Sequence, residues 1–349
     1  MPYAFLNAGS FFSAMATQKQ VLVTGNYNLY FTRNSIGVSP LVYLENMMFY
    51  LMGIPYFFCF ISAMLFYAFI IFKNRAKNTT SGHEIIKLVF FWILIYFLIL
   101  SFSYAKFDRY LILIMPFIAI ITAAFITNIT GLYLRNTSSF ILQVMIVLTT
   151  SFYTFAFSSI YSHRHTWDDA AKWMGKNIPE HSAKNGTKIL LEYFEVDYQN
   201  RIYNSFHSTL AENTNKKYLE APLWTDNIGA KHLETLYETC SKIKESNYII
   251  ISDRRWVNTY SRLPHQYPAE CLFYRTLFTE PEKLGFKLVY EQKLYPSFLG
   301  ITLNDDNAEY MFQYVDHPHV YIFKRIENTD IFKFFNDKLN LVVSSNPVF

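Results

Sequence analysis

The chain has 349 residues, 52% of them hydrophobic and 19% aromatic, with a formal net charge of +4. That is too apolar for an average soluble domain and too charged for a pure membrane bundle, so two solvents are implied. The charges are segregated: residues 1–162 carry nine Lys or Arg against three Asp or Glu, and residues 163–349 carry twenty-two against twenty-four. A near-neutral second half with no basic run excludes a nucleic-acid footprint.

Residues 1–45, "MPYAFLNAGSFFSAMATQKQVLVTGNYNLYFTRNSIGVSPLVYLE", show neither a basic n-region with a continuous apolar h-region nor a clear span. They read as an extracytoplasmic loop or the remnant of a longer N-terminal half, so the chain is expected to be incomplete. The alternative is that the first span inserts with its N-terminus outside unaided.

Four uncharged runs follow, at 46–72, 88–105, 110–134 and 136–162. Each reaches the roughly 20 mostly apolar residues that a helix needs to cross the hydrocarbon core. Residues 46–162 therefore read as a bundle of four transmembrane helices. The loop after the first run holds Lys73, Arg75, Lys77 and Lys87, and Arg135 follows the third. The positive-inside rule puts both loops in the cytoplasm. Residues 1–45, the short "KFDR" turn and everything after 162 then share the extracytoplasmic face. On that topology the Asn78 and Asn136 sequons face the wrong side, and Asn185, in "NGT", is the acceptor expected for a glycan.

Residues 163–328 alternate helical and strand patterns, which predicts an extracytoplasmic α/β domain with a mainly parallel sheet. "TWDDAAKWMGKNIP" opens on Thr166 as a helix cap, with two acids in its first turn and Pro179 beyond its end. "KILLEYF", "NYIIISD", "KLVYEQKLYP" and "HVYIFKRI" read as strands; "GAKHLETLYETCSKIKES" and "PAECLFYRTLFTEPEKLGF" read as helices. Residues 329–349 read as a C-terminal amphipathic tail. The fold class is thus an α-helical membrane bundle followed by an extracytoplasmic α/β domain.

Several polar groups invite chemistry. Lys106, Asp108 and Arg109 sit at headgroup level between the second and third runs. Either the cations snorkel and Asp108 pairs with one of them, or they seat a lipid phosphate, with Arg109 as a fork of donors and Lys106 as a point charge. Cations on the outer side run against the topological bias, which favours the phosphate seat.

Arg254, Arg255 and Arg262 follow a predicted strand end, where ligands of α/β sheets commonly bind, and are candidate sugar or acceptor contacts. Asp316 and His317 have the look of a catalytic dyad, but their place before a Pro and a strand favours turn formation. Glu192 and Glu195 lie three apart, so on a strand they face opposite sides and form no retaining pair. His163, Arg164 and His165 cluster where the chain leaves the membrane and read as interfacial anchors, and no metal-ligand spacing is present. Cys59 reads as an inert thiol in a span. Cys240 and Cys271 flank one strand, and an oxidised pair stays open for them.

The segment "AKFDRYLILIMPFIAIITA" resembles the K-x-x-R-Y-L-x-x-x-x-P segment of the dolichyl-phosphate-mannose protein mannosyltransferase and aminoarabinose transferase superfamily, with Lys106, Arg109, Tyr110 and Pro116 in register. "DDAAKWMGKNIPEHSAKNGTKILLE" resembles a junction of related bacterial and archaeal members. "FQYVDHPHVYIFKR" resembles their terminal signature, with Tyr314 and Val315 in reversed order. The resemblance implies the glycosyltransferase C fold and transfer of a sugar from a polyprenyl-phosphate donor to an acceptor protein or glycolipid at the outer membrane face.

It also implies lipid-phosphate binding by Lys106, Arg109 and Tyr110, with no cofactor. The family's acidic base lies in the first outer loop, for which this chain has no matching segment. The chain is therefore expected to hold the leaving-group half of the chemistry, with a separate N-terminal half as a partner. Asp108, between two cations, reads as an ion-pair partner rather than a substitute base. The alternative from another class is a non-catalytic membrane-anchored binding or assembly protein.

Overall fold

The computed structural model describes residues 8–19, 40–73, 81–103, 107–133, 136–178, 187–191, 219–222, 233–252, 255–261, 264, 267–308, 313 and 316–339. These fall into two compact units: residues 1–159 with 296–309, and residues 160–295 with 310–349.

The first unit is mostly helical. Its elements are α1 (Ala8–Lys19), α2 (Pro40–Asn46), α3 (Ile54–Lys73), α4 (Ser81–Ser101), α5 (Met115–Tyr133) and α6 (Asn136–Ser158). A π-helical turn, Met47–Leu51, continues α2, and a 3-10 turn, Asp108–Leu113, precedes α5. Three helical stretches among the described residues are long and apolar enough to cross a membrane: α3, Glu84–Ser101 within α4, and Gln143–Asn177, whose apolar part is α6. The chain is in this respect a membrane protein.

The third run predicted from sequence is divided. Its first residues form the 3-10 turn, and α5 carries the shorter apolar stretch Met115–Ile129. Pro116 sits in the first turn of α5, where its missing N–H leaves no intrahelical bond unmade.

These helices are apolar all round, as expected where the solvent is also hydrocarbon. Tyr67, Phe90, Ile93, Leu111, Ile118 and Ile121 pack into one core, while Leu65, Phe69, Ile95 and Leu148 face outward. Polar groups in this setting are satisfied locally. The hydroxyls of Thr149, Thr150 and Thr154 donate one turn back to the carbonyls of Met145, Ile146 and Thr150. Between helices, the Asn128 amide on α5 donates to the Tyr67 hydroxyl on α3 at 2.9 Å, a bond of the kind that pins helix pairs in lipid.

The second unit comprises α7 (Thr166–Asn177), β1 (Lys188–Leu191), β2 (Leu219–Pro222), α8 (Leu233–Glu245), β3 (Tyr248–Ile251), α9 (Arg255–Tyr260), α10 (Pro268–Thr279) and β4 (Phe286–Gln292). A hairpin of β5 (Ser297–Phe298) and β6 (Ile301–Thr302) belongs to the first unit. β7 (Val320–Arg325) and α11 (Ile331–Leu339) close the second.

The sheet order is β2-β1-β3-β7-β4. β1 pairs parallel with β2 and β3, whereas β7 pairs antiparallel with both β3 and β4. Four strands thus run one way, and the last strand is inserted against them.

β3 is buried along its whole length because both faces are covered. Tyr248 and Ile250 meet Trp167, Ala170, Ala171, Met174 and Ile178 of the α7 segment. On the strand next to it, Tyr321 and Phe323 meet the ring of Phe278 from α10 at 4.8 and 5.6 Å. Each fully buried aliphatic side chain in such a core stabilises it by about 1.5 to 3 kcal/mol.

One sequence expectation is corrected here, and one question left open by the sequence is answered. The cap of α7 is His165, whose Nδ1 accepts from the Trp167 amide. Thr166 is already helical, and its hydroxyl donates to the Pro318 carbonyl at 2.6 Å. Cys240 and Cys271 are free thiols, not a disulfide, and burial pushes the Cys240 thiol up to about 12, an unreactive state.

Candidate functional site

The segment between α4 and α5 is built by alternating inward and outward side chains. Phe107 is extended and buried, and the 3-10 turn that follows buries Leu111 while exposing Arg109, Ile112 and Leu113. The Phe107 carbonyl accepts the Tyr110 amide at 3.1 Å, and the Tyr110 carbonyl accepts the Tyr96 hydroxyl of α4 at 3.2 Å. Those bonds tie the turn to the helix before it. Arg109 is left at the surface among apolar neighbours.

Asp108 is reached from a helix distant in sequence. The Asp108 carboxylate accepts from the Asn46 amide at 2.7 Å, and Asn46 is fully buried at the end of α2. Among the described residues no ion pair joins Asp108 to Arg109. The Arg109 guanidinium instead lies 4.5 Å from the Phe107 ring centre and 5.6 Å from that of Tyr110, while the two rings meet edge to face at 5.4 Å.

Stacking of this kind orients a guanidinium and leaves its edge donors free for an anion. Tyr43 of α2 completes the support. It is buried, and burial pushes its hydroxyl up to about 12, opposed by the Ser103 hydroxyl and the Phe107 backbone amide, which favour the ionised oxygen.

Asn46, Tyr43 and Tyr96 escaped sequence reasoning. Asn46 is separated from Asp108 by 62 positions, and no local pattern marks such a pair. A π-helical turn directly after Asn46 is a structural marker of the same place. Glu45, one position before Asn46, is exposed. Lys106 lies outside the described residues, as do Arg254, Arg262, Glu192, Glu195, Asn78 and Asn185.

In the second unit, Arg255 begins α9 just beyond β3, and the helix it opens stacks Trp256 on Tyr260 and Tyr260 on Tyr274, at 5.1 and 5.9 Å. The strand end itself is closed by Trp167, whose indole N–H donates to the Ser252 carbonyl at 2.8 Å. Asp316 and His317 are not paired as a surface dyad. The His317 amide closes a helical turn onto Gln313, its ring is buried, and Asp316 accepts from the Tyr161 hydroxyl.

At the opposite end of β3, a cleft of about 320 Å³ is lined by Thr187, Asn247, Tyr248, Lys324, Arg325 and Glu327. Arg325 spends its donors on the backbone there, bonding the carbonyls of Ser246 at 2.6 Å, Glu327 at 3.3 Å, and Ile243. It therefore caps the C-terminal end of α8 and leaves Lys324 as the exposed cation of the cleft.

Comparison with protein-family models, curated proteins and solved structures finds no match to this chain.

Proposed function

We propose that this chain carries the leaving-group side of a membrane glycosyltransferase that moves a sugar from a polyprenyl-phosphate donor to an acceptor at the outer membrane face. In this reading α3 to α6 are four spans, the loop from Lys73 to Lys87 is cytoplasmic, and the turn at 103–110 and the α/β unit are outside. One observation carries it: Arg109 is exposed at the end of apolar helices with its guanidinium over the Phe107 ring, while the Asp108 carboxylate accepts from Asn46.

A leaving lipid phosphate gains charge as the glycosidic bond breaks, and a pre-oriented guanidinium stabilises that charge. The acceptor hydroxyl needs a carboxylate to take its proton.

The test is binding of a polyprenyl monophosphate to the full chain in lipid nanodiscs, with the corresponding polyprenol as control. Arg109→Glu should weaken phosphate binding at least tenfold and leave polyprenol association unchanged, with Arg109→Lys in between. Equal binding by wild type and Arg109→Glu would reject the assignment.

A second reading, a non-catalytic membrane-anchored binding protein, is favoured by the cleft beside Lys324 and Arg325. It predicts that polyprenyl-phosphate binding is indifferent to Arg109.

A further inference from the structure

The hairpin at residues 297–302 breaks a local rule. β5 and β6 pair Ser297 with Thr302 and Phe298 with Ile301, which leaves Leu299 and Gly300 as a two-residue turn. Both have positive φ, +51° and +81°, as in the type I′ turn that prefers Asn-Gly or Gly-Gly. Gly300 suits its place. Leu299 does not, because left-handed backbone brings the Leu Cβ too close to the following carbonyl oxygen. The same Leu is 82% exposed, and Ile301 beside it is 55% exposed. Strain and exposed apolar surface together are a double cost in water, and a cost of this kind persists where the surroundings compensate it.

The hairpin's place in its unit indicates the compensation. Ser297 donates its amide to the Ser159 hydroxyl at 3.0 Å, just past the end of α6. Phe298 stacks on Phe155 at 5.2 Å and meets Phe152 at 5.9 Å. Phe155 and Phe152 lie one and two turns before Ser159, so the hairpin runs back along α6 by about 6 to 10 Å at 1.5 Å per residue. α6 is the apolar part of a candidate span, and Phe155, Leu148 and Val147 on it face outward. Elements that lie in the membrane interface bury their apolar side about 5 to 10 Å into the headgroup and acyl boundary. The stretch of α6 that the hairpin covers is of the same length as that depth.

We propose that the β5–β6 hairpin is a membrane-dipping element, with Phe298, Leu299 and Ile301 seated among lipids beside the end of α6. Its occupant is the bilayer itself, continuous with the lipid-facing surface of that helix. The assignment does not depend on glycosyl transfer or on Arg109.

The experiment uses the full chain in lipid nanodiscs. Leu299→Cys and, as an exposed control on the same connection, Asn307→Cys are each labelled with a charged maleimide and separately with bimane; unsubstituted protein reports any background from its own cysteines. Leu299→Cys should react at least tenfold more slowly than Asn307→Cys. Its bimane emission should be quenched by lipids with a nitroxide high on the acyl chain, and the control should not. Equal labelling rates would overturn the proposal. So would slow labelling without lipid quenching, which would mean that protein, not lipid, covers the tip. Leu299→Asn, which suits the turn, should fold and weaken lipid contact, read as retained melting temperature with loss of quenching at a bimane placed on Ile301→Cys.

Discussion

Asn46 and Asp108 are joined by a 2.7 Å hydrogen bond that brings the end of α2 onto the turn before α5. Beside that bond the Arg109 guanidinium lies over the Phe107 ring, 4.5 Å from its centre.

Asn46→Ala removes the donor from a fully buried position and takes this hydrogen bond from the carboxylate. Hydrogen bonds to charged groups contribute about 1.5 to 3 kcal/mol. Thermal unfolding in detergent should show a loss of that order. If the turn is only a linker, the melting temperature of Asn46→Ala will match wild type. Asp108→Asn offers a neutral acceptor to the same amide and is expected to lose less.

Gly53 tests the entry to α3. Its φ is +77°, and a Cβ there would lie 2.6 to 2.9 Å from ring atoms of Tyr153 on α6. Gly53→Ala therefore meets both backbone strain and a clash. The double variant Gly53→Ala with Tyr153→Ala should recover more stability than the effects of the two single variants add up to, because the clash is gone while the strain remains. Strict additivity in the unfolding free energies would show that the clash relaxes at no cost.

Glu270 makes the α/β unit sensitive to pH. It is 2% exposed in the first turn of α10, and burial raises its pKa from 4.5 to about 7, opposed weakly by its own backbone amide. A folded-state pKa above the unfolded value means that the folded chain holds the proton more tightly. The stability this contributes is fully present below about pH 4.5 and is lost as pH rises through about 7. The loss is on the order of 3 kcal/mol at 1.36 kcal/mol per unit. Glu270→Gln should flatten this slope between pH 4.5 and 7.5 and be the more stable protein at pH 8, as read from melting temperatures across that range. Parallel pH profiles for the two proteins would show that Glu270 does not titrate in this window.

Local pattern carried much of the fold. The apolar runs behind α3, α4 and α6 declare themselves because a membrane span is a property of consecutive residues. β3 and β7 were visible as "YIII" and "VYIF" because a strand covered on both faces is apolar without interruption. Arg109 could be picked out for the same reason: a short cluster of charges between apolar runs is a local event.

What consecutive residues do not encode is which distant groups meet. The antiparallel insertion of β7 between β3 and β4 joins strands by pairings that hydropathy does not distinguish from parallel ones. β2 is four residues ending in Pro222, too short and atypical to read as a strand. Thr166 looks like a cap in sequence, yet its hydroxyl goes to Pro318 because the tertiary fold brings that carbonyl within reach, leaving His165 to cap α7.

The sequence by itself thus determined where apolar helices lie and that an α/β unit follows them, since burial and lipid solvation act on every residue in turn. Only the tertiary structure decided that Asn46 meets Asp108 and that Leu299 stands strained beside α6, since hydrogen bonds and packing across long separations depend on three-dimensional closure, not on neighbours in the chain.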